Sequence, residues 1–242
     1  MDPLVMLDNT RERLPAKVYD RIIERYRYVK EGIERIERVS GIGYPKYYIE
    51  PSITVAEGNG LGLLFARTIP LVDVDGALHI VVEVTAPLVA YALKGTIHAI
   101  LAHEFLHYLE LTARFMRMDV ISDEISGALF EHMYADMGRL FSAKSVLRKD
   151  RSLLRLIAKR FTDDGFSDAR LEDRCIKEWI DKGLPVKRIS MGENVVKVPI
   201  AAIVNMHVDE VLRSKIYELI SSSNRDGEGK RRGARAGPKQ DR

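Results

Sequence analysis

The feature that most constrains this chain is a dense apolar run interrupted by ionisable side chains. From residue 97 to 111 the sequence reads IHAILAHEFLHYLEL, which sets His103, Glu104 and His107 among Ile100, Leu101, Phe105, Leu106 and Leu109. A pattern that apolar belongs to a buried helix. A buried imidazole or carboxylate is tolerated there only with a partner. Residues four apart share one helix face and stand about 6 Å apart along the axis. His103 and His107 can therefore hold one ion at the about 2.0–2.1 Å of a zinc–imidazole bond. Glu104 lies one step round the helix, where a carboxylate can take a proton from a water on that ion. Residues 103–107 thus match H-E-x-x-H, and the plainer alternative is a pair of core histidines with a surface glutamate between them.

A catalytic zinc needs a third protein ligand and one open position. Resemblance to the extended metzincin pattern would place Gly at 110 and His or Asp at 113, and the chain has Glu110 and Ala113 there. The ligand is then expected from a second helix, read over 122–145 with Ser122 as its N-cap. With the connection centred near 119, antiparallel packing brings 132 opposite 107 and 135–136 opposite 103. His132 is the favoured third ligand, and Glu131 and Glu124 are its rivals. Asp136, one turn on, can hold the outer ring nitrogen of His103. His207, Tyr134 and Tyr108 are candidates for stabilising a developing oxyanion, and His207 is assigned to the catalytic set.

The rest of the chain reads as alternating blocks. Residues 8–40 are expected to form one long helix, with Val18, Ile22, Tyr26, Val29, Ile33 and Ile36 as its apolar stripe. Glu31 with Arg35 and Glu34 with Arg38 have favourable i,i+4 spacing on it. Gly41 to Pro45 ends it. Strands are expected at 47–55, where Pro51 forces an edge, at 61–69, and at 78–85 after an Asp75-Gly76 hairpin turn. The last strand alternates, so one face reads as buried and the other as partly wet. A short helix at 87–93 precedes the ligand helix at 97–116, for which Thr96 is the expected cap. Helices follow over 149–182, then a hairpin pairing 184–189 with 194–198, then one helix over 199–222.

Charge and composition bound the function classes. The 242 residues carry a net +3, but residues 223–242 hold seven Lys/Arg against three Asp/Glu, so residues 1–222 sum to −1. That tail is rich in Gly, Arg and Lys and reads as disordered. It offers weak, non-specific contact with polyanions, and the body is no nucleic-acid surface. One cysteine, Cys175, excludes an intramolecular disulfide framework and a Cys-rich zinc site. No apolar run reaches membrane-spanning length and no signal segment opens the chain, so a cytoplasmic protein is expected. One Gln and five Asn beside 24 Arg point to a thermophilic source.

Taken together, the motif and its setting resemble the zincin metallopeptidases over about residues 78–140. The branch with its third ligand on a second helix, in a pattern E-x-x-x-D, is the nearest. Membrane proteases of the CAAX-prenyl type carry that pattern as E-x-x-A-D, and this chain has His132-Met133-Tyr134-Ala135-Asp136. The SprT-like proteases use three histidines. The resemblance implies an α+β zincin-like domain over 1–222, with a small mixed sheet, an H-E-x-x-H helix packed on a second ligand helix, and a helical C-terminal region. Its parts would be the 8–40 helix, a 47–145 metallopeptidase core and a 149–222 helical part. It implies zinc-dependent hydrolysis of peptide bonds in a peptide or protein substrate, with Glu104 as general base. The third strand would be the sheet edge that binds an extended substrate. The competing readings are an inactive zinc-stabilised scaffold that binds a partner, and a ribosome- or nucleic-acid-associated protein anchored by its tail.

Overall fold

A computed structural model describes residues 2–57, 61–117, 124–125, 140–162, 165–190 and 196–233. The fold is α+β, with small mixed sheets and several helices. The expected single helix over 8–40 is broken, because Pro15 forces Leu14 into extended backbone at φ −116°, ψ 134°. The segment becomes α1 (Val5–Asn9), a 3-10 turn (Arg11–Arg13), α2 (Ala16–Arg25) and α3 (Arg27–Ser40). The apolar stripe survives the break, with Ile22, Val29, Ile33 and Ile36 buried. Gly41, at φ 71°, closes α3 in the left-handed region that glycine adopts without strain. The charges of α3 pair outside the helix. Arg35 forks onto Asp150 at 2.6 and 2.8 Å, and Glu31 meets Lys94. A partly buried bidentate pair is stronger than an exposed i,i+4 pair, so tertiary partners win. Arg35 holds the Asp150 carboxyl far below the usual range.

Pro51 does more than make an edge. It separates β1 (Lys46–Glu50) from β2 (Ile53–Glu57), which join different sheets. The expected 61–69 strand is likewise split at Phe65 into β3 (Leu61–Leu64) and β4 (Ala66–Val72). β5 (Leu78–Thr85) follows the Asp75-Gly76 turn, where Gly76 has φ 77°. One sheet has the order β1-β5-β4, with β1 parallel and β4 antiparallel to β5. The strand expected at the edge is therefore central, and β1 and β4 are the edges among the described residues. The Leu78, Ile80, Val82 and Val84 face of β5 is buried, and on the other face only His79 is partly exposed. Glu83 is fully buried because Tyr48 and Arg67 bond its carboxylate at 2.8 Å each and Lys187 approaches at 3.8 Å.

The other sheet runs β3-β2-β9, with β9 (Val186–Ser190) parallel to β2. Among the described residues the hairpin expected after residue 184 is thus not formed. Its second arm, β10 (Val196–Lys197), pairs with β6 (Glu124–Ile125), Lys197 opposite Glu124. That pairing also contradicts the helix expected to start at Ser122. The backbone at 124–125 is a strand, and a β-branched run at 195–198 is a better partner for it than a first helical turn. The same helix does not reach 145 either. Ser142 accepts from the Ser145 N–H and caps a new short helix, α6 (Ala143–Leu147).

Helix α4 (Ala86–Tyr91) leads into α5 (Lys94–Met116), which carries the motif. After α6 come α7 (Arg151–Arg160), a β7–β8 hairpin (Phe161–Thr162 with Gly165–Phe166), and α8 (Ala169–Cys175), which continues as a π-turn over Ile176–Ile180. The helix expected over 199–222 breaks into α9 (Ile200–Val204) and α10 (Glu210–Gly233). The backbone of 223–233, assigned to the tail, is helical; 234–242 lie outside the described residues. No described helix is long and apolar enough to cross a membrane.

Helix α3 crosses α5 where a Cβ on Gly32 would stand 2.8 Å from Leu101 Cδ1 and 2.9 Å from His98 Cδ2. Both neighbours are buried and cannot swing away. Gly32→Ala is expected to lower stability by about 1–2 kcal/mol, the overpacking outweighing a propensity gain of about 1 kcal/mol. Gly95→Ala is expected to leave stability unchanged or raise it, since only the half-buried Leu156 side chain, at 3.0 Å, must yield. Urea midpoints of the two variants, measured side by side, check the contrast.

Candidate functional site

Helix α5 starts earlier than its sequence signals suggest. Lys94 is its first residue, Leu93 precedes it in extended backbone, and Thr96 is buried in the first turn. The Thr96 hydroxyl does not cap the helix but donates to Asp168 Oδ2 at 3.0 Å. Asp168 in turn pairs with Arg160 at 3.0 Å, so the start of α5 is tied to the residues flanking the β7–β8 hairpin.

One turn and more into α5, His103, Glu104 and His107 are each 3–4% exposed. The two imidazoles meet edge to face at 82°, with their Nε2 atoms 2.8 Å apart. In that arrangement one Nε2 donates to the other. Two nitrogens bound at about 2.0–2.1 Å to one tetrahedral ion stand about 3.4 Å apart. The observed pair needs to open by about 0.6 Å to meet that requirement. Two imidazoles with converging Nε2 atoms are a donor set suited to zinc. Among the described residues no third His, Cys, Asp or Glu joins them in a metal-holding group.

Glu104 is fixed from the sheet. Thr68 on β4 donates to Glu104 Oε2 at 2.8 Å, and the same hydroxyl lies 3.0 Å from the Glu104 carbonyl oxygen. Tyr44, stacked on Phe105 at 5.6 Å, donates to the Leu101 carbonyl. Burial and then the nearby Glu104 charge raise the Tyr44 pKa well above the usual tyrosine value. On the other side Phe161 lies flat against His103, with ring centres 3.7 Å apart and planes within 5°. Phe166 tilts against Phe161 and Phe65 against Phe166, each at 5.4 Å, which makes an aromatic wall. Glu110, the residue standing where a same-helix pattern would need Gly, accepts from the Leu140 N–H at 2.8 Å and pairs with Arg114 at 2.9 Å.

The structure therefore brings His103 and His107 together and buries Glu104 on the same helix, its carboxylate on Thr68. His132, Glu131, Tyr134 and Asp136 lie outside the described residues, and of Glu124 only the backbone, in β6, is described. His207 is exposed, between α9 and α10, with no hydrogen bond or ring contact to the two histidines among the described residues. Tyr108 is half-buried, and burial pushes its pKa up to about 12. His98 is buried beside Arg35, and His79 pairs with Asp73 at the β4–β5 turn, both as structural residues. Thr68, Tyr44 and Phe161 carry no motif. Only the β4–β5 register and the course of the chain after α7 reveal them. No protein-family model, no curated protein and no solved structure matches this chain.

Thr68→Val keeps the side-chain shape but removes the donor to a buried carboxylate. It is expected to lower stability at neutral pH by about 1.5–3 kcal/mol. Thr68→Ser, which retains the hydroxyl, is expected to lose less. Chemical denaturation of the two variants checks the difference.

Proposed function

We propose that this chain is a zinc-dependent peptidase that cleaves extended peptide substrates beside β4. The observation that carries the reading is the convergence of His103 and His107 at 2.8 Å with a buried Glu104 whose carboxylate is held by Thr68. His103 and His107 would hold the ion, with the third ligand drawn from His132, Glu131 or Glu124. A zinc ion there supplies Lewis-acid polarisation of the scissile carbonyl and lowers the pKa of water.

The chain's own residues do the rest. Glu104 accepts the proton of the attacking water and returns it to the leaving amine. Thr68 holds Oε2, so the carboxylate keeps one orientation while the proton moves. The purely structural alternative, a His–His hydrogen bond in the core, leaves the buried Glu104 without a purpose.

The ladder geometry supports β4 as the substrate strand. The Thr85 N–H bonds Phe65 O at 3.0 Å, and the Asp73 N–H bonds Ala77 O at 3.0 Å. In an antiparallel pair the bonded positions alternate. Residues 67, 69 and 71 therefore bond β5, and Ala66, Thr68, Pro70 and Val72 turn their backbone polar groups away from it. Pro70 sits where its missing N–H removes no ladder bond. An incoming strand finds donors at Ala66 and Thr68 and only an acceptor at Pro70.

Zinc-loaded wild-type protein is expected to cleave an unstructured protein such as casein. Glu104→Gln is expected to retain zinc and lose at least about 100-fold in rate, the usual contribution of a positioned general base. Metal analysis and a fluorogenic casein assay on both proteins check this. Equal cleavage by the variant would remove Glu104 from the role, and no cleavage by zinc-loaded wild type would remove the peptidase reading.

A further inference from the structure

The ring pairs around the motif fall into two kinds. Phe65 meets Phe166, and Phe166 meets Phe161, with centres 5.4 Å apart and planes crossed at 60–61°. Tyr44 and Phe105 are nearly parallel, but their centres stand 5.6 Å apart, so the rings are offset. Crossed and offset arrangements suit neutral aromatic rings, because each ring is negative on its faces and positive at its edge. Phe161 and His103 depart from that rule. Their planes lie within 5° and their centres only 3.7 Å apart. Carbon atoms in contact keep about 3.5 Å, so the two centres are displaced sideways by about 1.2 Å at most. The rings overlap almost face to face.

Such an overlap is unfavourable between two neutral rings and favourable when one of them carries positive charge. An imidazole bound to a divalent ion shares the charge of that ion, and the face of a phenyl ring is the negative pole of its quadrupole. The Phe161 ring covers the plane of the imidazole and leaves its Nε2 edge to His107. An imidazole nitrogen binds a metal through a lone pair in the ring plane, so the phenyl ring does not compete for it. The chain also braces Phe161 from both sides. The Arg160 carbonyl accepts from the Ser167 N–H at 2.8 Å across the β7–β8 hairpin, and the Arg160 guanidinium pairs with Asp168. Asp168 accepts from Thr96 at the start of α5. Thr96 and His103 are two helical turns apart and so share one face of α5. The 160–168 segment meets that face at two points, Asp168 at Thr96 and Phe161 at His103.

We propose that Phe161 is a positioning residue for the metal site, favouring the metal-bound form of His103 through its ring face and holding the imidazole plane while Nε2 binds. The proposal rests on the reading of His103 and His107 as zinc ligands and is independent of which residue supplies the third. It assigns the effect to the charge distribution of the phenyl face and not to its bulk.

Zinc affinity of the full chain, read by competition with a chromogenic chelator, tests the proposal without recourse to activity. Phe161 is replaced in turn by monofluoro-, difluoro- and pentafluorophenylalanine, which drain negative charge from the ring face and barely change its shape. Affinity is expected to fall step by step along the series, by about tenfold at its end. If the pentafluoro protein does not fold, the two smaller changes carry the trend. Phe161→Leu, which keeps an apolar side chain and loses the ring face, is expected to fall about tenfold as well. Pentafluorophenylalanine in place of Phe166, whose ring contacts among the described residues are with Phe161 and Phe65, is the packing control and is expected to bind zinc within about twofold of wild type. A wild type that binds no zinc would overturn the zinc reading and this proposal with it. A wild type that binds zinc, with affinity flat along the series or equally reduced by the change at Phe166, would overturn the role of Phe161 alone.

Discussion

The burial of five ionisable side chains on one helix governs this molecule. His98, His103, Glu104, His107 and Glu110 of α5 are each no more than 4% exposed. Leaving such groups unmatched in the interior would forfeit several kcal/mol apiece. The surrounding elements are arranged to meet them. β4 delivers Thr68 to Glu104, the end of α7 delivers Phe161 to the face of His103, and Leu140 brings a backbone N–H to Glu110. Close packing on the opposite side, at Gly32 of α3, fixes how deep the helix lies. The interior polar face is thus held by partners from several separate parts of the chain.

What the sequence made legible follows from the range of each signal. The α5 motif, the β5 strand, the Asp75-Gly76 turn and the Gly41 helix end all rest on contacts within a few residues, and each appears in the structure. The break at Pro15 was equally local and is simply what a proline does to the residue before it. Pairing was not legible. β9 lies parallel to β2 and β10 joins β6, although a tight hairpin between the two late segments fits the local pattern. Strand partnership depends on which edges the rest of the chain leaves open, which no short window contains. The same holds for Arg35, whose helical neighbour was Glu31 and whose partner is Asp150.

Of the candidate site, the two histidines and the glutamate were readable because helical periodicity alone sets their relative placement. Thr68 was not, because its role depends on the register that puts it opposite Val82 in the β4–β5 ladder. The same pairings set β5 inside the sheet and leave β1 and β4 at its edges.

The central claim is that His103 and His107 are ligands of one metal ion and not merely hydrogen-bonded core residues. X-ray absorption at the zinc edge, on the full chain loaded with one equivalent of zinc, tests it most directly. The account predicts a first shell containing at least two imidazole nitrogens at about 2.0–2.1 Å, lost in His103→Ala. A shell of oxygens alone, or a protein that takes up no zinc, would contradict it.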